Sequence, residues 1–368
     1  MSSNYPIYPK LSAIPNDLLT LNDYAEMAVQ FMPPEVFEYV DSGAGEELTL
    51  HGNHAVFEDY QVYNRVLTDL THAHTYTKLL GQTFRHPILL APVAHQGLVH
   101  EQAELATAQG ADAVDAGLVL STLATANLEA VAEQTASPKW FQLYFQTDRA
   151  DTLALVRRAE DAGYTALVVT VDVPINGLRY RVQRAGFTLP LTAQDLDQTA
   201  AKPIELSADD SVIFQGMMRT APQWRDLDWL RRQTSLPILL KGVSHPDDAQ
   251  RALDSGLQGV VVSNHGGRGL DRVPASLALL PAIRNTLGDD ATVLLDGGIR
   301  SGADVFISLA LGADAVLIGR PQIYALAIAG ALGVAHMLKL LRNEFELTMA
   351  LTGCAGIEDI TPSSLFRH

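Results

Sequence analysis

The chain has 368 residues, of which 47% are hydrophobic and 18% charged, and its formal net charge at pH 7 is −16. This composition is typical of a globular protein, and the charge argues against nucleic acid or an anionic membrane surface as a partner. One cysteine, no secretory signal pattern and no apolar run of the ~20 residues that span a bilayer together predict a soluble, cytoplasmic protein.

The first 80 residues precede any buried strand pattern. Their segment "LNDYAEMAVQFMPPEVFEYVDSG" is helical and loop-like in character. We therefore expect residues 1–80 to form an N-terminal helical cap.

Eight short apolar runs then recur, each followed by a helix-like segment. Runs this short and this rich in Val, Ile and Leu are typical of strands that are buried on both faces, as in a parallel sheet. They are "PILLAPV" (87–93), "LVLST" (118–122), "KWFQLY" (139–144), "ALVVTVD" (166–172), "LPILLKG" (236–242), "GVVVSN" (259–264), "TVLLDGG" (292–298) and "AVLIGR" (315–320).

Alternation of strands and helices predicts parallel crossovers, and eight such units predict an α/β fold of the closed (β/α)8 TIM barrel type. We expect residues 1–368 to form this single barrel domain. An open doubly wound sheet is the alternative, because periodicity alone does not show closure.

A long polar stretch with Gly and Pro, residues 176–223, follows the fourth strand. Loops of this length are uncommon inside compact domains and are usually functional or disordered. We expect a mobile lid over the barrel mouth, formed by this fourth βα loop.

Polar residues cluster at the carboxyl ends of these runs. In a TIM barrel these ends converge on one face, where active sites are built. Any one of these residues could simply begin a polar loop, but the set as a whole predicts a site. Its members are Ser121, Gln142, Tyr144, Thr170, Asp172, Lys241, Ser263, His265, Arg268, Asp296, Gly298, Gly319 and Arg320.

Two glycine-rich turns, "DGGIRSG" (296–302) and "IGR" (318–320), end the last two runs. Such turns after the seventh and eighth strands of a barrel commonly bind phosphate at a helix N-terminus. Arg300 and Arg320 could add charge-assisted hydrogen bonds. Neither a Rossmann G-x-G-x-x-G nor a P-loop motif occurs, so a dinucleotide or P-loop nucleotide site is not supported.

The string "SNHGGRGLD" (263–271) holds the candidate base, His265. A carboxylate such as Asp172 on one ring nitrogen would fix the tautomer and stabilise the imidazolium that forms on proton uptake. For most of the 11 histidines a structural role is the better interpretation. The strings "HGNH" (51–54) and "HAH" (72–74) lack further ligands, so they are interpreted as surface or packing residues and no metal site is predicted.

These strings resemble a known family, the FMN-dependent L-2-hydroxy acid oxidases and dehydrogenases. The resemblance extends from about Tyr24 to about Ile360. Its most specific strings are "SNHGGRGLD", "FQLY", "TVDVPINGLR", "LLKGV", "LLDGGIR" and "ALGADAVLIGRP". The family includes glycolate oxidase, lactate oxidase and mandelate dehydrogenase.

The resemblance implies roles for the substrate-facing residues. His265 corresponds to the catalytic base and Asp172 to its partner. Arg268 and Arg179 would hold the substrate carboxylate. Two tyrosines would lie near the substrate, Tyr144 beside its hydroxyl and Tyr39 in the N-terminal region.

The resemblance also implies an FMN site. The isoalloxazine would be held by the Ala94 backbone, Ser121, Gln142, Thr170, Lys241 and Ser263. The phosphate end would use Asp296, Gly298, Arg300, Gly319 and Arg320. A lysine beside the flavin N1 and C2 carbonyl stabilises the negative charge that reduction places there.

For the activity, the resemblance implies oxidation of a small L-2-hydroxy acid, lactate-like or larger, with O2 as acceptor and H2O2 as product. Leu123 stands where glycolate oxidase has a tryptophan and lactate oxidase a tyrosine, which argues against specificity for glycolate alone. The alternatives are a quinone-linked dehydrogenase, a lactate monooxygenase and, more remotely, an FMN barrel isomerase or a non-catalytic flavin-binding module. A homotetramer or homo-octamer is expected from the same resemblance.

Overall fold

The computed structural model of the protein describes residues 7–189 and 206–367. Its N-terminal region forms three helices, α1 (Leu21–Ala28), α2 (Pro34–Asp41) and α3 (Leu48–Ala55), as the sequence predicted. It also forms three short strands, β1 (Tyr60–Val62), β2 (Thr77–Leu79) and β3 (Gln82–Phe84), which the sequence analysis did not predict. Three residues are too few to show a period of two, so these strands had no pattern to detect.

Eight parallel strands form a closed barrel in the centre of the molecule. They are β4 (Ile88–Leu90), β5 (Gly117–Ser121), β6 (Lys139–Leu143), β7 (Leu167–Thr170), β8 (Ile238–Val243), β9 (Gly259–Val262), β10 (Thr292–Asp296) and β11 (Ala315–Ile318). The last strand, β11, pairs with the first, β4, so the sheet has no open edge. The predicted (β/α)8 TIM barrel is confirmed, and the open doubly wound sheet is excluded.

Helices surround the barrel. They are α4 (Ala103–Asp112), α5 (Leu128–Ala132), α6 (Arg149–Asp161), α7 (Tyr180–Arg184), α8 (Trp224–Arg231), α9 (Pro246–Asp254), α10 (Ser276–Leu287), α11 (Gly302–Ala310) and α12 (Arg320–Thr352). In α6, Asp148 caps the first turn, and the buried residues recur at helical spacing from Thr152 to Ala159. This spacing gives the helix one apolar stripe to place against the strands.

One helix, α12, is long and apolar enough by length and composition to cross a membrane. Its most apolar 18-residue window has a mean hydropathy of 1.7, but 67% of that window is buried inside the fold. The helix is also interrupted at Ala329 and Gly330, whose backbone angles are not helical. Burial to this extent is typical of a core helix. After it, β12 (Leu365–Arg367) pairs antiparallel with β1.

The barrel interior explains where the polar residues lie. The lower part of the interior is filled by an apolar layer, which includes Val119, Trp140, Val168, Leu239, Val261 and Leu294. Side chains alternate along a strand, so the residue two positions later on each strand points into the same interior, one layer higher. Those residues are Ser121, Gln142, Thr170, Lys241, Ser263 and Asp296. The upper layer of the interior is therefore polar at six neighbouring strands.

The predicted lid, residues 176–223, is described only in part. Residues 190–205 lie outside the described residues, while α7 before them and α8 after them are described. Closure of this segment over the barrel stays a prediction.

Candidate active site

A cavity opens above the polar layer, at the carboxyl ends of the strands. Residues from the loops after seven of the eight barrel strands line it, together with Lys241 of β8 and with Tyr39 and Val40 from the cap. Every predicted site residue lines this cavity except Asp172 and Ser263. Each of those two is hydrogen-bonded to a residue that does line it. Asp172 is hydrogen-bonded to His265, and Ser263 to Lys241. The structure therefore brings the predicted residues together, while their individual roles stay predictions.

His265 and Asp172 form a hydrogen-bonded pair, with 2.9 Å between the histidine Nδ1 and the aspartate Oδ1. A carboxylate only accepts, so Nδ1 carries a proton and Nε2 of the neutral ring is left free to take one. Burial opposes ionisation of Asp172, but the nearby His265 and Lys241 outweigh it and lower the pKa of Asp172. The aspartate is therefore ionised and ready to stabilise an imidazolium.

Gly242 leaves room for the Asp172 carboxyl group. The register between β8 and β9 shifts at this glycine, which has φ +99°. A Cβ here would lie 2.4 Å from the Asp172 Cγ. The glycine of "LLKG" is thus required both by its backbone conformation and by close approach of the aspartate.

The loop that carries His265 turns sharply. His265, Gly266 and Gly267 all have positive φ angles, of 57°, 61° and 74°. A Cβ on Gly267 would also lie 2.7 Å from the backbone nitrogen of Leu50 in the cap. The two glycines let the chain reverse against the cap, and this reversal aims Arg268 back at the cavity.

Lys241 is the cation at the floor of the cavity. Its Nζ lies 2.8 Å from the Asp296 Oδ2 and donates to the Ser263 Oγ at 2.9 Å. Burial opposes its charge, but Asp296 and Asp172 outweigh burial and raise the pKa of Lys241. Burial raises the pKa of Tyr144 to about 12, so its phenol keeps a proton to donate. The floor therefore offers a fixed positive charge beside a hydrogen-bond donor.

Two arginines face the cavity from different loops, Arg179 after β7 and Arg268 after β9. Both guanidinium groups lie over the Tyr39 ring, 4.8 Å and 5.4 Å from its centroid. Among residues 7–189 and 206–367 neither pairs with a carboxylate. Burial, with neighbouring Arg179 and Arg320, lowers the pKa of Arg268 to about 9. This surplus of positive charge suits a carboxylate ligand.

The predicted phosphate residues line the same cavity. Arg300 is half-buried, and its Nη1 donates to the Ile299 carbonyl at 2.8 Å. The Arg320 guanidinium instead contacts carbonyls of the cap and of Gly266. Gly319 has open space around it, directly before the N-terminus of α12. Backbone N–H groups at such a terminus favour an anion.

Two buried polar atoms test whether the cavity fits FMN. Gln142 Nε2 and Asp296 Oδ1 have no hydrogen-bond partner in the part of the chain that the structure describes. Buried polar groups are normally bonded, so these two call for a ligand with both donors and acceptors. A flavin pyrimidine ring supplies both, and the anion site near Gly319 suits one terminal phosphate. The residues present therefore fit FMN.

Sequence reasoning missed two residues, one in the cavity wall and one behind it. His95 is buried with a positive φ of 56°, lines the cavity, and its Nδ1 has no partner among the described residues. Glu104 accepts backbone N–H groups of Gln96, Thr125 and Ala126 at 3.0–3.1 Å, which joins the loops after β4 and β5. No sequence signal distinguishes either residue, because both roles depend on contacts between loops.

The "HGNH" segment is a packing element of the site. Asn53 exchanges two hydrogen bonds with Asn264, the neighbour of His265, at 2.9 and 2.8 Å. The His54 Nδ1 lies 3.1 Å from the Gly298 carbonyl. This part of the cap thus supports the histidine loop and the predicted phosphate turn together.

Comparison with known proteins agrees with this geometry. Residues 28–367 match the family model described as FMN-dependent dehydrogenase. An L-lactate oxidase of Alicycliphilus denitrificans is 48% identical over 355 residues, which cover 96% of this chain and 97% of that protein. The human 2-hydroxyacid oxidase 1 is 41% identical over 93% of this chain and 95% of its own length.

The fold comparison gives the same result. A crystal structure of mandelate oxidase with 3,3-difluoro-2-hydroxy-3-phenylpropionic acid superposes with a TM-score of 0.86 at 39% identity. The match covers 95% of this chain and 99% of that one. The barrel, the cavity and these matches together show that the protein belongs to the family of FMN-dependent dehydrogenases, with FMN as its cofactor.

Proposed function

We propose that the protein oxidises small L-2-hydroxy acids to 2-oxo acids, with O2 as electron acceptor and H2O2 as product. The observation that carries the proposal is the His265–Asp172 pair in a cavity that also holds Arg179 and Arg268 without carboxylate partners among the described residues. The relatives named as oxidases of lactate and 2-hydroxy acids support the same reaction class.

Each protein group has a role in this reaction. Arg179 and Arg268 bind the substrate carboxylate and fix the 2-carbon against the cofactor. His265 Nε2 accepts the proton that the substrate loses, and Asp172 stabilises the resulting imidazolium. Tyr144 donates a hydrogen bond near the substrate hydroxyl.

FMN, when bound, supplies the acceptor for the two electrons that leave the substrate. Lys241 is placed to stabilise negative charge on it, because its ammonium is buried and held by Asp296 and Ser263. The overall balance converts one 2-hydroxy acid and one O2 to one 2-oxo acid and one H2O2.

Product analysis tests the proposal and separates it from its rivals. The purified holoenzyme is supplied with L-lactate in air, and O2 uptake, pyruvate and H2O2 are measured. We expect equal amounts of all three. Acetate in place of pyruvate would identify a monooxygenase, and turnover only with an added quinone would identify a dehydrogenase. No turnover with any 2-hydroxy acid would reject the proposal in favour of the isomerase or the binding module.

Arg268→Lys is expected to raise the KM for L-lactate about tenfold or more, with a smaller change in kcat. A lysine keeps the charge but cannot form the bidentate grip of a guanidinium on a carboxylate. Steady-state kinetics measure the effect, with the exposed Arg149→Lys as the matched control. An unchanged KM in Arg268→Lys would remove this residue from the carboxylate site.

Leu123→Trp is expected to shift preference toward shorter acids. Leu123 lines the cavity, and its backbone is held by the Ser121 hydroxyl and the His95 N–H. A leucine leaves apolar space for a substrate side chain, and each buried methylene contributes about 0.8 kcal/mol, a few-fold in kcat/KM. We expect wild type to use lactate and mandelate better than glycolate. The kcat/KM values of the three acids are measured for both proteins. If the ratios between acids are the same in Leu123→Trp as in wild type, residues other than Leu123 determine the specificity.

Cytoplasmic location and assembly into a homotetramer or homo-octamer belong to the same proposal. They rest on the sequence and the family resemblance. Size-exclusion chromatography with light scattering measures the assembly directly.

A further inference from the structure

The C-terminal turn of α2, residues 39–42, faces the active-site cavity. The last carbonyls of a helix have no partner within it and carry a partial negative charge. In this turn the carbonyls of four consecutive residues, from Tyr39 to Ser42, accept hydrogen bonds from arginines of the barrel loops.

Two of these arginines are the ones that face the proposed substrate carboxylate. Arg268 donates to the Val40 carbonyl at 2.7 Å and to the Tyr39 carbonyl at 2.9 Å. Arg179 donates to the same Tyr39 carbonyl at 3.1 Å. The direction of both guanidinium groups is therefore set by where this turn lies.

The third arginine belongs to the predicted phosphate end. Arg320 donates to the Asp41 carbonyl at 3.0 Å and to the Ser42 carbonyl at 3.1 Å. One turn of the cap thus holds cations of both the predicted carboxylate site and the predicted phosphate site.

A second set of bonds fixes the turn itself, through the Asp41 side chain. Its Oδ1 accepts the Tyr324 hydroxyl at 2.7 Å, and its Oδ2 accepts the Arg181 Nη1 at 2.9 Å. Arg181 also donates a hydrogen bond to Glu38, which lies one helical turn before Asp41 in α2. Neither Asp41 nor Tyr324 lines the cavity.

We propose that Asp41, held by Tyr324 and Arg181, is a positioning residue that orients Arg268 and Arg320 for anion binding. The proposal concerns how this chain holds the carboxylate and the phosphate, and for the carboxylate it rests on the proposed function. Small misplacement of binding groups is costly, because about 1 Å can reduce rate a hundredfold.

A purely electrostatic role for Asp41 predicts the opposite sign. Its carboxylate lies near Arg300 as well, so it offsets part of the positive charge of the site. If that were its main effect, removal of the charge would tighten anion binding. The positioning role predicts that anion binding weakens instead.

Two variants separate these roles. Asp41→Asn removes the charge but keeps the shape, and Tyr324→Phe removes one hydrogen bond without any change in charge. We expect each to raise the Kd of oxalate for the holoenzyme and the Kd of FMN for the apoprotein about three- to thirtyfold. The double variant is expected to be little worse than the poorer single variant, because both act through one contact.

A matched control distinguishes positioning from general loss of stability. Asp226→Asn breaks an arginine–aspartate pair and a helix cap remote from the cavity. It should lower Tm and leave both Kd values unchanged. The proposal is overturned if Asp41→Asn or Tyr324→Phe keeps wild-type Kd values, or if Asp41→Asn binds either anion more tightly. These Kd values need no turnover, so absence of 2-hydroxy acid oxidation would reject the proposed function alone.

Discussion

His265→Ala is expected to bind FMN normally and to lose about two to four orders of magnitude in the rate of 2-hydroxy acid oxidation. The imidazole Nε2 is available to take a proton, and Nδ1 is hydrogen-bonded to the Asp172 carboxylate. The phosphate end and Lys241 are untouched, so flavin binding should persist. The rate is measured as anaerobic loss of flavin absorbance after mixing with L-lactate.

The exposed His72→Ala is the matched control for this variant and should react as wild type. If His265→Ala oxidised L-lactate at the wild-type rate, a different base would be required. Loss of flavin from His265→Ala would instead give the histidine a role in cofactor binding.

Asp172→Asn is expected to slow the same step by about 10⁴, as when a catalytic histidine is held in the wrong tautomer. An asparagine amide can donate to Nδ1, which would move the ring proton to Nε2 and remove the base. The side chain has nearly the same volume, so Gly242 and the fold should tolerate it. Stopped-flow absorbance measures the rate, and circular dichroism checks the fold. A loss below tenfold would show that the carboxylate does not control the tautomer.

Much of the barrel and of the cavity could be predicted because both follow from local pattern. Each of the eight strands is a short apolar run, and on six of them the last inward-facing residue, where the run meets the loop, is polar. Lys241 is two residues after Leu239, so strand alternation alone places it in the upper layer of the interior.

The remainder depends on contacts between segments that are distant in the sequence. Asp41 and Tyr324 are 283 residues apart, and no spacing in the sequence relates them. The short strands of the cap have the same origin, since β1 is formed by pairing with β12 at the other end of the chain. His95 and Glu104 escaped prediction for this reason too.

One anaerobic experiment tests the central claim, that FMN in this cavity oxidises L-2-hydroxy acids. The yellow holoenzyme is mixed without oxygen with glycolate and with each enantiomer of lactate and mandelate. We expect the flavin absorbance to bleach with L-lactate and L-mandelate but not with the D enantiomers, and to return when oxygen is admitted. Flavin that stays oxidised with every acid in the panel, or that bleaches equally with both enantiomers, would contradict the account.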